Sequence, residues 1–442
     1  MKTLIILFFF LSSLNLYTQS PGWHTLPNAP VAEINLARFE DICFINAMTG
    51  WIIEGNYGGN PGWVYKTIDG GHNWVLSNHQ IHQFLRSTGF FDENTGIIGT
   101  LNDSLHDLFR TTDGGFTWAD ITQNIQGTVP SGICGISIVN TTTAFACGRY
   151  ICPANVIKTT NAGLNWISLP VDTSLVRSLV DCYFPTSDSG YAVGGYSPVN
   201  NYNTGHSVVL KTANGGLNWT RVYYSSRTDE WCWKINFVNR QLGFASIERV
   251  SDLTYYLKTT SGGLSWIEKP FLVYNVQAIG FVNDNTGWIG GGVNEPNYET
   301  TNAGVSWNLA GWGIAMNRMR FLSDTLAYAV GQTVYKYTSE PIGIQPISTE
   351  IPKQFSLYQN YPNPFNPETK IRFEIPPFAK GGFIQLIIYN ALGQEITTIV
   401  NEHLIAGIYE VNWNASDYPS GIYFYSLSTE NFTETKKLVL LK

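Results

Sequence analysis

The sequence predicts an all-β protein, a seven-bladed β-propeller followed by a small β-sandwich. Two motifs recurring in one register, and a change of composition after Tyr337, carry that expectation. The first motif is an apolar anchor followed six residues later by a small residue and a second large side chain: Phe44 leads to Gly50-Trp51. It returns as Phe90 to Gly96-Ile97, Ile138 to Ala144-Phe145, Phe184 to Gly190-Tyr191, Phe237 to Gly243-Phe244, Phe281 to Gly287-Trp288 and Phe321 to Ala327-Tyr328. The second motif is Thr67-Ile68-Asp69-Gly70-Gly71-His72-Asn73-Trp74, repeated as Thr111-Thr112-Asp113-Gly114-Gly115-Phe116-Thr117-Trp118. Looser copies end at Trp166, Trp219, Trp266 and Trp307, with Asn161, Asn214, Ser261 and Asn302 in place of the acid. A period of about 40 to 53 residues is that of a propeller or array, each unit being four short strands.

Within each unit the glycines supply positive φ in the last turn, and the Asp, Asn or Ser side chain accepts backbone N–H bonds across it. Asp69 and Asp113 are therefore turn residues: a general acid is needed once per site, whereas this position recurs and tolerates an amide or hydroxyl. The tryptophans pack between neighbouring units. The seventh unit lacks its Trp motif, and Trp23-His24-Thr25-Leu26-Pro27 resembles Trp166-Ile167-Ser168-Leu169-Pro170. The N-terminal strand thus completes the last blade, and closure removes the exposed edges.

These units resemble the Asp-box, or BNR, repeats of sialidases, sortilin-type receptors and some xyloglucan hydrolases. With the Phe-x-Asn-x-x-x-Gly-Trp element they look still more like the propeller of the photosystem II assembly-factor family. The resemblance covers residues 21–337 and implies a fold, since one fold hosts many activities.

Residues 338–354, rich in Pro and Ser, read as a linker. Residues 355–442 carry Thr369-Lys370-Ile371-Arg372-Phe373, whose alternation suits a half-buried strand, and strands at Ile384 to Tyr389, Ile408 to Trp413 and Ile422 to Leu427. The motifs Tyr389-Asn390-Ala391-Leu392-Gly393, Gly407-Ile408-Tyr409, Tyr418-Pro419-Ser420-Gly421-Ile422-Tyr423 and Lys436-Lys437-Leu438-Val439-Leu440-Leu441-Lys442 closely resemble the type A sorting domain of the type IX secretion system of Bacteroidota. The resemblance implies an immunoglobulin-like sandwich, recognition by the secretion machinery, and a secreted or surface-attached product. In keeping with export, residues 1–20 read as a signal peptide, with an apolar run from Leu4 to Leu16.

The formal net charge of -7 comes without a basic stripe, which argues against nucleic acid. No later segment is a transmembrane span. Six cysteines (Cys43, Cys134, Cys147, Cys152, Cys182 and Cys232) leave 15 pairings open; a Cys147–Cys152 loop bridge and buried free thiols are both compatible. His79-x-x-His82 lacks a third ligand, and no cofactor motif appears, so neither a metal nor a cofactor is expected.

Arg38, Arg86, Arg227 and Arg318 lie near the starts of inner strands, but no sialidase signature surrounds them. Asp41 and Asp181 sit at one offset, three residues before Phe44 and Phe184. They are the catalytic candidates for a glycoside hydrolase of the Asp-box type, which needs two carboxyls roughly 5 to 9.5 Å apart; polar channel lining is the alternative. Binding is the leading reading. Loops on one face supply Tyr57, Tyr196, Tyr202, Tyr224, Arg227, Asp229, Trp231 and Trp312 as candidate contacts, a set suited to a glycan or protein ligand. An assembly factor for a membrane complex is the third reading.

Overall fold

The computed structural model describes residues 21–442 except 27, 33–37, 56–61, 78–80, 102–105, 149–152, 198–203, 250–252, 272–275, 293–294, 340–345, 349–350, 378–381, 405, 417 and 430. The expected signal peptide and Cys152 lie outside the described residues. Two compact units emerge; apart from Leu26–Asn28, the first runs to Glu340 and the second from Pro341. Among the described residues of the first unit there are seven sheets, each with a run of consecutive antiparallel strands in the order inner to outer. Blade 1, for example, comprises Arg38–Phe44, Gly50–Gly55, Trp63–Thr67 and Val75–Leu76. Blade 3 gains a fifth strand, Ile125–Gln126, which runs parallel to Trp166–Pro170.

The blades are joined by rings. The aromatic side chain that follows each small residue lies flat on the anchor of the next blade. Trp51 stacks on Phe90 at 3.6 Å, Phe145 on Phe184 at 3.6 Å and Phe244 on Phe281 at 3.7 Å. Tyr191 and Phe237 are 4.6 Å apart, and Trp288 and Phe321 6.3 Å. Blade 7 closes on blade 1 in the same way, with Tyr328 stacked on Phe44 at 3.6 Å and its hydroxyl donating to the carbonyls of Ala47 and Gly70. The glycine of the motif is required for space: a Cβ at Gly50 would stand 2.6 Å from the Phe44 ring of its own blade. The motif tryptophans complete the layer edge-on to their own anchors, Trp74 on Phe44, Trp118 on Phe90, Trp219 on Phe184, Trp266 on Phe237 and Trp307 on Phe281. Trp166 has no anchor ring to meet, because Ile138 stands there, and it is wholly buried.

Gly22–Thr25 lies antiparallel to Val334–Thr338, with Trp23 opposite Tyr337, and forms the outer strand of blade 7. Trp23 meets Phe321 edge-on at 6.4 Å, the geometry of the other motif tryptophans. It also stacks on Trp312 at 4.4 Å.

The Gly-Gly turns are knotted by one threonine each. Thr111 Oγ1 donates to Asp113 Oδ1 at 2.8 Å and accepts from Gly115 N at 3.0 Å, while Asp113 Oδ1 also accepts from Thr117 N at 2.9 Å. Thr67 and Asp69 repeat the pattern, and Asn161, Asn214, Ser261 and Asn302 fill the acid's place with the same partners. Both glycines have positive φ, as at Gly114 and Gly115, but Ala162 and Ala303 carry the first of the two positions in blades 3 and 6.

The second unit is a β-sandwich of two four-stranded sheets. One contains Glu368–Ile375 and Gly407–Asn414; the other contains Gly382–Asn390, Gly421–Ser428 and two strands beyond those expected, Glu395–Leu404 and Thr433–Leu440. Between them lies a core that includes Ile371, Phe373, Tyr409, Trp413 and Tyr425. The stretch expected to be a pure linker, 338–354, is corrected in part: Thr338 ends a propeller strand, and Pro346–Ser348 pairs with Tyr409 and Ile408 as an edge strand. Proline is tolerated there because an edge leaves one side of the strand without a ladder partner.

Replacing Trp23 by Ala removes the indole that links blades 6 and 7, and should cost about 2–4 kcal/mol in urea unfolding of the full chain. Thr111→Val, which orphans Gly115 N, should cost about 1 kcal/mol, whereas Asp113→Asn should change stability by less than about 0.5 kcal/mol.

Candidate functional site

The inner strands of blades 1, 2, 4, 5 and 6 each contain a register shift just before the residue three positions ahead of the anchor, or at it. Such bulges re-aim side chains. At that position stand Asp41, Ser87, Gly135, Asp181, Lys234, Ala278 and Arg318 in blades 1 to 7, all buried. The expected offset of Asp41 and Asp181 is thus a ring of seven positions, four of them charged.

Arg318 holds the ring together from blade 7. Its Nε donates to Asp41 Oδ1 at 3.0 Å, and its two terminal nitrogens donate to Asp181 at 2.7 and 3.0 Å. The two carboxylates, from blades 1 and 4, are therefore brought to a single guanidinium, whose rigid fork reaches both. Their remaining oxygen capacity goes to backbone: Asp41 accepts from Ile42 N and Thr88 N, and Asp181 from Ile235 N. A second knot lies beside the first, where Glu40 accepts from Arg38 Nε at 2.9 Å and Asn317 Nδ2 at 2.7 Å and pairs with Arg86. Arg86 in turn lies over the Trp233 ring at 5.4 Å.

Electrostatics follow from this geometry. Burial alone would raise the Asp181 carboxyl, but Arg318, with Lys234 and Arg320 nearby, outweighs it and holds the group below the ordinary carboxylate range. Burial, and then Arg38, bring Arg86 down to about 10. Lys234 is 2% exposed and its Nζ has no hydrogen-bond partner among the described residues; burial, with Arg318 and Arg86 facing it, pushes the ammonium well down. Glycoside hydrolysis needs one carboxyl protonated and the other free to reach the sugar or a water. Here both are spent on one cation, so the arrangement serves as a charged plug.

The remaining described candidates lie around blades 4 and 5, except Trp312 of blade 6. Tyr57, Tyr202 and His79 are outside the described residues. Trp231 is corrected from a contact residue to a core residue: it is 3% exposed, and its ring fills the space left by Gly195 and Gly205. Trp312 is likewise corrected, since it is half-buried against Trp23 and Tyr335 in the wall of blades 6 and 7. Arg227 is tied down, donating to Glu230 at 3.0 and 3.2 Å and to Glu268 at 2.8 Å while lying 3.8 Å over Tyr255. Tyr223 adds a 2.6 Å hydrogen bond to Glu268. Asp229 sits between them with φ 64, half-buried, in the bend that leads into blade 5.

Tyr196 and Tyr224 do come together, 6.3 Å apart and edge to face. His206 stacks on Tyr224 at 4.8 Å, and the Arg221 guanidinium lies 4.6 Å over the same ring. Arg221 is steadied by the carbonyls of Ser174 and Leu175, and the nearby Arg177 has a buried Nε with no hydrogen-bond partner among the described residues. Tyr224 is 41% exposed. Lys234, Glu40 and Asn317 in the plug, and His206 and Arg221 on the rim, were not singled out from the sequence; only Lys234 had a signal, its offset from Phe237.

Residues 359–441 match the secretion system C-terminal sorting domain family. This tail marks the chain for type IX secretion, to the cell surface or the extracellular space. No curated protein matches the chain. Solved structures share the fold: YCF48 from Cyanidioschyzon merolae, 16% identical with a TM-score of 0.53, covers 72% of this chain and 98% of its own. YCF48 bound to D1 peptide is also 16% identical, with a TM-score of 0.51 over 72% of this chain and 97% of its own. An ancestral GH74 enzyme is 14% identical, with a TM-score of 0.51 over 94% of this chain and 63% of its own. No helix of the described residues is long and apolar enough to cross a membrane.

Arg318→Met leaves two buried carboxylates without their cation and should cost about 3–5 kcal/mol at pH 7. In the wild type, the contribution of Asp181 is complete above the unfolded-chain value near pH ~4 and is lost as pH falls through the lower folded value. In the variant burial dominates, the folded carboxyl titrates above the unfolded one, and stability is lost as pH rises. The deficit should therefore shrink between about pH 7 and pH 5 in a urea-denaturation series; a deficit constant across that range would contradict this account.

Proposed function

We propose that the protein is a non-catalytic binding module, exported by the type IX route, that holds a segment of another extracellular protein on the rim of blade 4. The observation that carries this reading is the group Tyr196, His206, Arg221 and Tyr224, an aromatic cluster of which Tyr224 is exposed and Tyr196 and His206 half-buried, with a fixed, exposed guanidinium at its edge. Because His206 and Arg221 both lie over the Tyr224 ring, that ring is not an open platform for a sugar face. It offers a hydroxyl and a cation instead, which suit an acidic or carboxylate-bearing peptide. That a YCF48 of this fold has been solved bound to D1 peptide supports peptide capture as something the fold can do.

The competing glycosidase reading draws on the GH74 likeness and on Asp41 and Asp181, and it has to contend with the ion pairs that hold both acids. An assembly role for a membrane complex would be one use of a peptide-binding rim.

The protein purified from culture medium, screened against an extracellular-protein peptide array and a polysaccharide panel scored for binding and released sugar, separates these readings. Acidic peptides should bind, and Arg221→Ala with Tyr224→Ala should weaken them at least about tenfold while leaving the thermal unfolding of the propeller near that of the wild type. Released sugar, retention by polysaccharide alone, or undiminished peptide binding by the double variant would each overturn the proposal.

A further inference from the structure

No disulfide joins the five described cysteines in the folded chain. The protein is nonetheless bound for an oxidising compartment, where well-placed thiols are joined. Cys43 and Cys232, of blades 1 and 5, pack against other cores, and Cys134 lies beside Cys147 within blade 3, its backbone N–H donating to the Cys147 carbonyl at 2.8 Å. Cys147 and Cys182 differ, for both lie in the apolar core between blades 3 and 4.

Their positions are set by the same stack that joins the blades. Phe145 of blade 3 and Phe184 of blade 4 lie 3.6 Å apart with planes 4° from parallel. Cys147 is two residues after Phe145 and Cys182 two residues before Phe184, so each thiol shares a strand face with its ring. Gly135, which pairs with Cys147 in the blade 3 ladder, leaves the space beside that thiol empty. The inner strand of blade 4 moves into it: a Cβ on Gly135 would stand 2.7 Å from Asp181 Cα and 3.0 Å from Cys182 N. Cys182 Sγ then sits 3.8 Å from the Gly135 carbonyl and 3.9 Å from that of Phe145, the two carbonyls that flank Cys147 across and along the strand.

We propose that Cys147 and Cys182 are an oxidation site, joined after export by a disulfide that fastens blade 3 to blade 4. Burial, followed by contact with the Cys182 thiol, holds Cys147 protonated in the closed interface, which slows exchange there. The bond accordingly forms while the interface is still open. The thiolate of Cys182 attacks the disulfide of an exported dithiol–disulfide oxidant protein, forming a mixed disulfide and expelling one oxidant thiolate. The Cys147 thiolate then attacks the Cys182 sulfur and expels the second. The two electrons reduce the oxidant's disulfide to two thiols, which take up the two protons given up by the cysteines.

The test uses the full chain exported by its host, quenched in acid, alkylated in denaturant without reductant, digested and mapped by mass spectrometry. The expected result is a linked peptide pair containing Cys147 and Cys182, lighter than the sum of the two free peptides by two hydrogens and split by reductant, with Cys43, Cys134 and Cys232 alkylated. The same protein should melt roughly 5–10 °C lower after reduction. In Cys182→Ser, Cys147 should become open to alkylation. Full alkylation of both cysteines in the exported wild type, or a bond from Cys147 to Cys152 or Cys134, would overturn the proposal, and neither result depends on a variant folding.

Discussion

The contact between the ring after each motif glycine and the anchor of the next blade organises everything else in the propeller. It is flat and repeated; where the small residue is glycine the anchor ring of its own blade occupies the space of a Cβ, and alanine serves in blades 3 and 7. Because the contact runs from each second strand to the following first strand, it sets the spacing at which neighbouring inner strands face one another. The channel charges, the Gly135 gap and the position of the blade 4 rim all follow from that spacing. Six of the seven contacts are aromatic pairs; at the blade 2 to blade 3 step Ile97 and Ile138 take the places of the rings, and an extra parallel strand widens blade 3.

Much of this could be read from the sequence because the repeat is chemical as well as numerical. Phe44, Gly50 and Trp51 do separable jobs in each blade, so their spacing survives changes of loop length. The completion of blade 7 by Trp23 was legible for the same reason, since a strand bearing Trp followed by alternating residues had one vacancy to fill. The functional surface was harder to read. Tyr224 and Trp231 stand in one aromatic stretch and look alike in sequence, yet one is exposed and the other lies under Gly195 and Gly205. Which aromatic faces outward is decided by partners distant along the chain. Arg318 shows the same limit: its offset from Phe321 placed it in the ring, but nothing local tells that it reaches Asp181 in blade 4.

The two charged regions use charge in opposite ways. In the channel, Asp41 and Asp181 are paired with Arg318 at hydrogen-bond distance and buried, so their interaction joins distant blades and leaves little to offer a substrate. On the rim, Arg221 spends hydrogen bonds on two backbone carbonyls, has no ion pair with an acid among the described residues, and stays exposed beside Tyr224. A matched, buried set fixes shape, and an unmatched, exposed set attracts. Arg227 lies between these extremes, half-buried and held by two glutamates, which makes it a strut from blade 4 to blade 5.

Arg318 belongs to the final blade, while its carboxylate partners come from the first and the fourth. Until the ring is complete, Asp41 and Asp181 lack the guanidinium that bridges them, although Lys234 of blade 5 lies near. Partial assemblies without blade 7 forgo that bridge however well their neighbouring rings stack. A tandem array with only nearest-neighbour contacts could fray one repeat at a time. Here Arg318 ties the last blade to the first and the fourth, a contact that reaches beyond nearest neighbours.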